Sequence, residues 1–309
     1  MLPAMARKPR VTIVGPGRLG SALALALKAA GYRIDEIVTR SAARSRQHAK
    51  LASAVNATLR TTTNAKFDAG VVWICVPDSA IRQVARQLAN AASWKGKFVF
   101  HSSGALTSAE LSELKKRGAN VAAVHPMMTF VHDAMPSLAG VSFAVEGDPS
   151  AVHIARRIVK DLGGDGITIS PDKKPLYHAF GAFASPLLIS TLALAEQLGQ
   201  AAGLSAAAAK KAMLPIVNQT FRNYAERGAA GAFSGPIIRG DAETVRKNLA
   251  SLRKLPEAQT AYVALARAAL RLLPVADGKK LEQVLAGTTR SAALRSDRDA
   301  RRGSRGPAR

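Results

Sequence analysis

The stretch VTIVGPGRLG, Val11 to Gly20, decides the fold. An apolar run of strand character leads into Gly15, Gly17 and Gly20 in a G-x-G-x-x-G frame, and the alanine- and leucine-rich SALALALKAAG (21–31) follows at once. Strand, glycine turn and helix in that order are the context in which this otherwise weak motif carries meaning. Gly15 would permit the tight turn. Gly17, without a Cβ, would let the backbone approach a pyrophosphate, and Gly20 would let the helix pack close. The N–H groups of Pro16-flanked Arg18, Leu19 and Gly20 would then face the phosphates. A βα turn that holds no ligand is the plain alternative.

Outward from this loop, residues 10–171 alternate β-rich runs with helical stretches. The runs are VTIVG (11–15), EIVTR (36–40), VVWICVP (71–77), FVFHSSG (98–104), VAAVHP (121–126), VSFAVEG (141–147) and ITIS (167–170). Several are continuously apolar, as strands covered on both faces are. Gly31 and Gly118 are expected to close helices as C′ residues. The rhythm predicts an α/β class fold: an N-terminal Rossmann doubly wound parallel sheet. From residue 172 to 287 the pattern is helical only, near 174–202, 205–227, 241–254, 256–273 and 278–286, with Asp241 as an N-cap. This second half is expected to be an all-α substrate and dimerisation domain. Residues 1–9 form a basic lead without an apolar core, so not a signal peptide. Residues 288–309 read as a disordered Arg-rich tail.

The charge of +23 over 309 residues is partly local to that tail, and aromatics make up only 5%. A base-stacking surface is therefore not expected, and no specific nucleic-acid partner follows. Ala179 to Ala195 is uncharged and barely long enough to span a bilayer, but it contains Gly181, Ser185, Pro186, Ser190 and Thr191. It reads as a buried helix, with no membrane partner. The single cysteine, Cys75, excludes an internal disulfide and suits a reducing, cytoplasmic setting. With one cysteine and scattered histidines no metal-ligand spacing is present.

The end of the second strand chooses the cofactor. An NAD site wants an acid there for the ribose 2′-hydroxyl, but Asp35 and Glu36 come where the strand begins. Its end reads Thr39, Arg40, Ser41, which suits a 2′-phosphate. The expectation is NADP(H), Arg40 as a solvated surface charge being the alternative. Val76, Pro77 and Asp78 would border the nicotinamide ribose. His101, Ser102, Ser103 and His125 stand at adjacent strand ends, where ligands of such sheets bind. A histidine can donate a proton near neutral pH. Lys174 and His178, four apart, share one helix face. Either could supply the proton that hydride reduction of a C=O or C=N group requires. Arg239, in the turn GPIIRGD, would clamp a carboxylate or pair with Asp241. His48, His132 and His153 read as surface residues.

Taken in order, VTIVGPGRLG, ICVPDSAI, HSSGAL, HPMMTF, KPLYHAFGAFAS and SGPIIRGD resemble a bacterial family. Its members are Rossmann-like proteins with a C-terminal domain of unknown function. They are related to 6-phosphogluconate dehydrogenase, pyrroline-5-carboxylate reductase and deazaflavin-dependent NADP reductases. The likeness spans residues 10–286. It implies an NADP-binding fold, a 6-phosphogluconate-dehydrogenase-like helical domain that forms homodimers, and a cleft lined by the HSSG, HP, YH and GPIIRGD segments. Pro186 stands where the pattern has Asn. The lysine–asparagine pair of the related hydroxyacid dehydrogenases is represented here by Lys174 and His178.

Together these features point to an NADPH-dependent oxidoreductase acting on a small, carboxylated carbonyl or imine compound, with a 2-oxo acid such as ketopantoate as one candidate. The competing reading is a non-catalytic NADP(H)-binding sensor.

Overall fold

The computed structural model describes residues 8–40, 46–131 and 136–287. Ser41 and the Arg-rich tail lie outside the described residues, as does the basic lead up to residue 7. Two compact units divide between Ser185 and Pro186. The sequence pattern changes earlier, at 171/172, so one more helix goes with the first unit than the pattern assigns to it.

The first unit is built on one eight-stranded sheet: β1 (Val11–Val14), β2 (Ile34–Thr39), β3 (Thr58–Thr61), β4 (Val71–Ile74), β5 (Phe98–His101), β6 (Asn120–Pro126), β7 (Ser142–Gly147) and β8 (Asp165–Thr168). Their spatial order is β3-β2-β1-β4-β5-β6-β7-β8. The helices α1 (Arg18–Ala29), α2 (Arg46–Ala54), α3 (Asp78–Leu88), α4 (Ser112–Lys116), α5 (Pro149–Asp161) and α6 (Lys174–Ala184) complete it. Strand alternation sorts the core. Val11, Ile13, Val71 and Trp73 enter one buried cluster, and Val14, Val72 and Ile74 enter the other. Both faces are covered, which is why these strands read as unbroken apolar runs.

The order reverses at β1/β4, where β1 pairs with β2 on one side and β4 on the other. Register brings Val14 level with Val38 and Ile74, and Ile74 level with His101. The residues after them therefore emerge along one edge, the carboxyl end of the sheet, where a crevice opens at the switch point.

Two features differ from the sequence reading. Strand β3 was absent from the run of apolar segments, because TLRT is polar and partly exposed. And β7 pairs antiparallel with β6, then parallel with β8. No helix lies in the described part of the 127–141 connection, and parallel strands need a crossover. Gly31 and Gly118 do adopt positive φ, +79° and +89°.

The second unit is helical: α7 (Pro186–Ala201), α8 (Ala206–Ala232), α9 (Ala242–Ser251) and α10 (Pro256–Leu272), with a further helix over 278–287. The long helix expected over 174–202 is divided between the units at Ser185, because Pro186 has no N–H to continue it and opens α7 instead. α8 breaks its helical geometry at Gly228 (φ 67°), just after the expected end at 227. Asp241 caps α9, its carboxylate accepting from the Thr244 N–H at 3.0 Å and the Thr244 hydroxyl at 2.7 Å. A small core of Val245, Leu249, Val263, Ala266, Leu281 and Leu285 holds α9, α10 and the last helix together.

The expectation that 179–195 is buried is overturned. No residue of that span is buried within the chain, and α7 has no buried residue at all. The segment Pro171–Ala201 is long and apolar enough to cross a membrane by length and composition, with a mean hydropathy of 1.5. Its burial fails because α7 and α8 have chiefly each other to pack against.

Candidate active site

At the switch point, Gly15 takes φ +88°, and a Cβ there would meet Val76 Cγ1 at 2.8 Å and the Cys75 carbonyl oxygen at 3.0 Å. A Cβ on Gly20 would lie 2.3 Å from the Gly15 carbonyl oxygen, so only glycine lets α1 seat against its own turn. At Gly17 the situation is the reverse: a Cβ would touch nothing within 4 Å. Gly17 is the N-cap of α1, and no side chain caps the helix. The first intrahelical bond runs from the Ser21 N–H to the Gly17 carbonyl, at 2.8 Å. The N–H groups of Arg18, Leu19 and Gly20 are thus directed past an open backbone, the arrangement that receives a pyrophosphate.

A cleft of about 1150 Å³ opens from this turn. Its lining includes Gly15, Pro16 and Gly17 of the turn, Val76 and Pro77 after β4, Thr39 and Arg40 at the end of β2, and His48. Arg40 is exposed. Asp35 is paired with Arg10 (2.9 Å) and Arg33 (3.0 Å), and Glu36 accepts from the Lys66 and Phe67 N–H groups, each at 3.0 Å. Both acids are therefore held away from a ribose at the end of β2. His48, read from the sequence as a surface residue, is a wall of this cleft. It lies just inside α2, beyond an unremarkable polar stretch, and nothing in its immediate sequence marks it. The residues fit a dinucleotide with a 2′-phosphate: glycine N–H groups for the pyrophosphate, and a guanidinium for the additional charge.

Beside the cleft, the ends of β4, β5 and β6 and the start of α6 bring a polar cluster together. The Ser103 hydroxyl donates to Asp78 Oδ2 at 2.6 Å and accepts from the Ala105 and Leu106 N–H groups at 3.2 and 2.9 Å. His101 is fully buried. Its Nε2 lies 3.0 Å from the Thr107 carbonyl, and its Nδ1 accepts from the Ser103 N–H at 3.1 Å. These contacts require the Nε2–H tautomer. Burial pushes its pKa down to about 4, a shift the Thr107 bond opposes. With both nitrogens bonded to main chain, His101 shapes the loop. The Ser103 hydroxyl is likewise committed. Both groups, expected from the sequence to stand at the substrate, are hydrogen-bonded to the chain itself in this structure.

Lys174 is also fully buried, and its ammonium donates to the Ser103 carbonyl at 2.9 Å. Burial lowers its pKa, with Glu146 and Asp78 opposing. It ties the first turn of α6 to the 102–107 loop. Glu146, itself buried, holds the far side of that loop by accepting from the Ser108 N–H (2.6 Å) and hydroxyl (2.9 Å). Glu146 was missed by the sequence reading, although a lone carboxylate in the apolar run VSFAVEG was a signal for it.

One turn along α6, His178 is exposed on the same face as Lys174. His125 is half-buried, its Nδ1 3.3 Å from the Tyr177 hydroxyl and the rings edge-on with centroids 5.6 Å apart. A Cβ on Gly104 would lie 2.8 Å from His125 Nε2 and 2.9 Å from His178 Cδ2. The two imidazoles therefore meet over Gly104. Burial first, then the Lys174 charge, pushes the His125 pKa down to about 4. Tyr177, the middle residue of the quoted LYH, was not singled out from the sequence. Arg239, exposed, belongs to the second unit. Among the described residues no group of His, Cys, Asp and Glu could hold a metal ion.

Comparison with known proteins follows the same division. Residues 4–126 match a Rossmann-like domain, and residues 141–269 match a domain of unknown function, DUF2520. No curated protein matches the chain. Among solved structures, a Bacteroides fragilis protein, BF3122, with a provisional NADP oxidoreductase name aligns at TM-score 0.70 and 21% identity, covering 84% of this chain and 97% of that one. Protein TM1727 from Thermotoga maritima aligns at 0.67 and 23%, covering 90% and 98%. A pyrroline-5-carboxylate reductase from Coxiella burnetii aligns at 0.54 and 18%, covering 85% and 98%. At these identities the likeness is one of fold. The ordered motifs and the two matches agree: the chain carries a Rossmann-like domain followed by a DUF2520 domain.

Proposed function

We propose that this chain is a cytoplasmic NADPH-dependent oxidoreductase that reduces a small carbonyl or imine compound bearing a carboxylate, a 2-oxo acid such as ketopantoate among the candidates. The observation that carries this reading is the uncapped start of α1 over an open Gly17, in a cleft that runs to Arg40. The reductase names of two fold relatives support it. The nicotinamide, when bound, supplies the hydride. The chain's own residues do the rest. The 15–20 turn binds the pyrophosphate, Arg40 pairs with the 2′-phosphate, and Pro77 and Asp78 border the nicotinamide ribose. His178 holds the proton that the reduced atom must gain. Lys174 was the other candidate donor, but its ammonium is buried on the Ser103 carbonyl, which gives it a positioning role.

Single-chain exposure also supports a homodimer through the second unit. Leu187 and Ile189 on α7 and Leu214, Ile216, Phe221 and Tyr224 on α8 are exposed, and clustered apolar surface of this kind marks an interface. A membrane is the less suited cover. Lys174 anchors the start of Pro171–Ala201 in the polar cluster, and Pro186 opens a separate helix, α7, of 16 residues, fewer than the ~20 a span needs.

Turnover tests the proposal. Purified protein with NADPH should consume cofactor with a member of an oxo-acid and imine panel, and His178→Gln should lower kcat by ~10²-fold or more, the scale of general acid catalysis, while NADPH binding persists. NADPH binding without turnover of any panel member would favour a sensor.

A further inference from the structure

The second unit holds a cavity of about 660 Å³ that the reductase reading does not use. One side is a face of α9 and of the 3₁₀ turn Leu252–Lys254 that continues it, with Ala242, Arg246 and Arg253 at helical spacing. The other side is the last helix, with Lys280, Gln283 and Gly287 at the same spacing. Val245, Leu281 and Leu285 of these helices turn into the core of the unit instead. The cavity is therefore lined largely by small and polar side chains.

Its charge is one-sided. Among the described residues no carboxylate lines it. Lys280 is paired with Asp277 at 2.7 Å, and Glu243, whose carboxylate feels Arg246, is bonded to Lys247 at 2.9 Å. Neither Arg246 nor Arg253, both exposed, has a hydrogen bond or ion pair among the described residues. They stand seven residues apart, about 10 Å along the axis, close enough for two such long side chains to reach one anionic group. Gln259 supplies a different kind of contact. It is 9% exposed and lines the same cavity, and its NH₂ donates to the Leu249 carbonyl at 2.9 Å. Its amide oxygen has no partner among the described residues, so the cavity also offers a buried acceptor.

We propose that this cavity is a second ligand site, for a small phosphorylated sugar. Two guanidiniums match a phosphate dianion, which accepts from both in forked geometry. The Gln259 oxygen accepts from a sugar hydroxyl, a donor that an inorganic anion lacks. The volume lies within the few hundred to about 1,000 Å³ of small-molecule sites, and the polar lining suits a hydroxylated ligand over an apolar one. The site lies wholly in the second unit and stands or falls independently of the cofactor cleft.

Calorimetric titration of the full chain with ribose 5-phosphate, inorganic phosphate and ribose tests it. Ribose 5-phosphate should bind more tightly than phosphate, and ribose should not bind. Arg246→Gln and Arg253→Gln should each weaken ribose 5-phosphate by about tenfold or more, the loss of a charge-assisted bond. Gln259→Met, which keeps the length of the side chain, should weaken it by about fivefold and leave phosphate unchanged, with the fold checked by circular dichroism. Arg40→Glu and Arg271→Gln, neither of which touches the cavity, should have no effect. No binding of ribose 5-phosphate, or binding no tighter than that of phosphate, would overturn the proposal. So would equal loss in Arg271→Gln, which would mean general attraction to a basic surface. Loss in Arg40→Glu alone would assign the binding to the cofactor cleft and overturn it as well.

Discussion

His101 and His125 begin from the same side chain at neighbouring strand ends, and their surroundings divide them. Thr107 and Ser103 take both nitrogens of His101, whereas His125 makes one long contact, from Nδ1 to the Tyr177 hydroxyl, and packs its Nε2 edge against Gly104. The sequence HSSG shows that polar groups stand at a ligand-binding edge, but nothing in it tells an imidazole bonded to main chain from one that is not. A consequence can be measured. Both folded-state pKa values lie near 4 against about 6.5 unfolded. Between those values the unfolded chain binds the extra protons, so stability is full above 6.5 and falls as pH drops toward 4. The loss is about 3 kcal/mol for a fully buried group such as His101. Chemical denaturation at pH 7 and pH 4.5 should show a smaller pH-dependent loss for His101→Gln than for the unsubstituted chain. Equal losses would contradict the buried neutral state.

At the level of elements, the turn at 15–20 was legible at Gly15 and Gly20, each of which has a steric reason within the chain, whereas a Cβ on Gly17 would touch nothing. Gly20 is the sharpest. Gly20→Ala would place a Cβ 2.3 Å from the Gly15 carbonyl oxygen, and should cost about 1–3 kcal/mol of stability as an overpacked contact. It should weaken NADPH binding as well, because the turn must shift. Thermal unfolding and a fluorescence titration would check both, and unchanged values would contradict the close packing of α1. Other elements were less legible. β3 is a four-residue polar edge strand whose existence depends on pairing with β2, a tertiary fact. The antiparallel β6–β7 junction goes with a connection whose described part holds no helix to cross over. Pro186 was a visible signal for the break before α7, although the apolar pattern alone ran as one helix over 174–202.

At the scale of the molecule, apolar periodicity showed that α7 and α8 carry faces to be covered, but not by what. Within one chain they stay exposed. The dimer reading predicts that light scattering gives twice the chain mass of 32.4 kDa. Ile189→Glu together with Ile216→Glu should give the single mass, with little change in chain folding since both residues are exposed. A monomer before substitution would remove the dimer. The two-unit organisation was visible because strand rhythm stops near 171, while the placement of α6 depends on Lys174, Tyr177 and His178 finding partners in the sheet unit.

The cofactor cleft offers the most direct measurement. Titrating the purified chain with NADPH and with NADH, and following reduced-nicotinamide fluorescence, should give tighter binding of NADPH. Arg40→Glu should remove at least about tenfold of that preference, as a charge-assisted bond to the 2′-phosphate requires, and leave NADH nearly unchanged. Equal losses for both cofactors, or binding of neither to the unsubstituted chain, would contradict the assignment of this cleft.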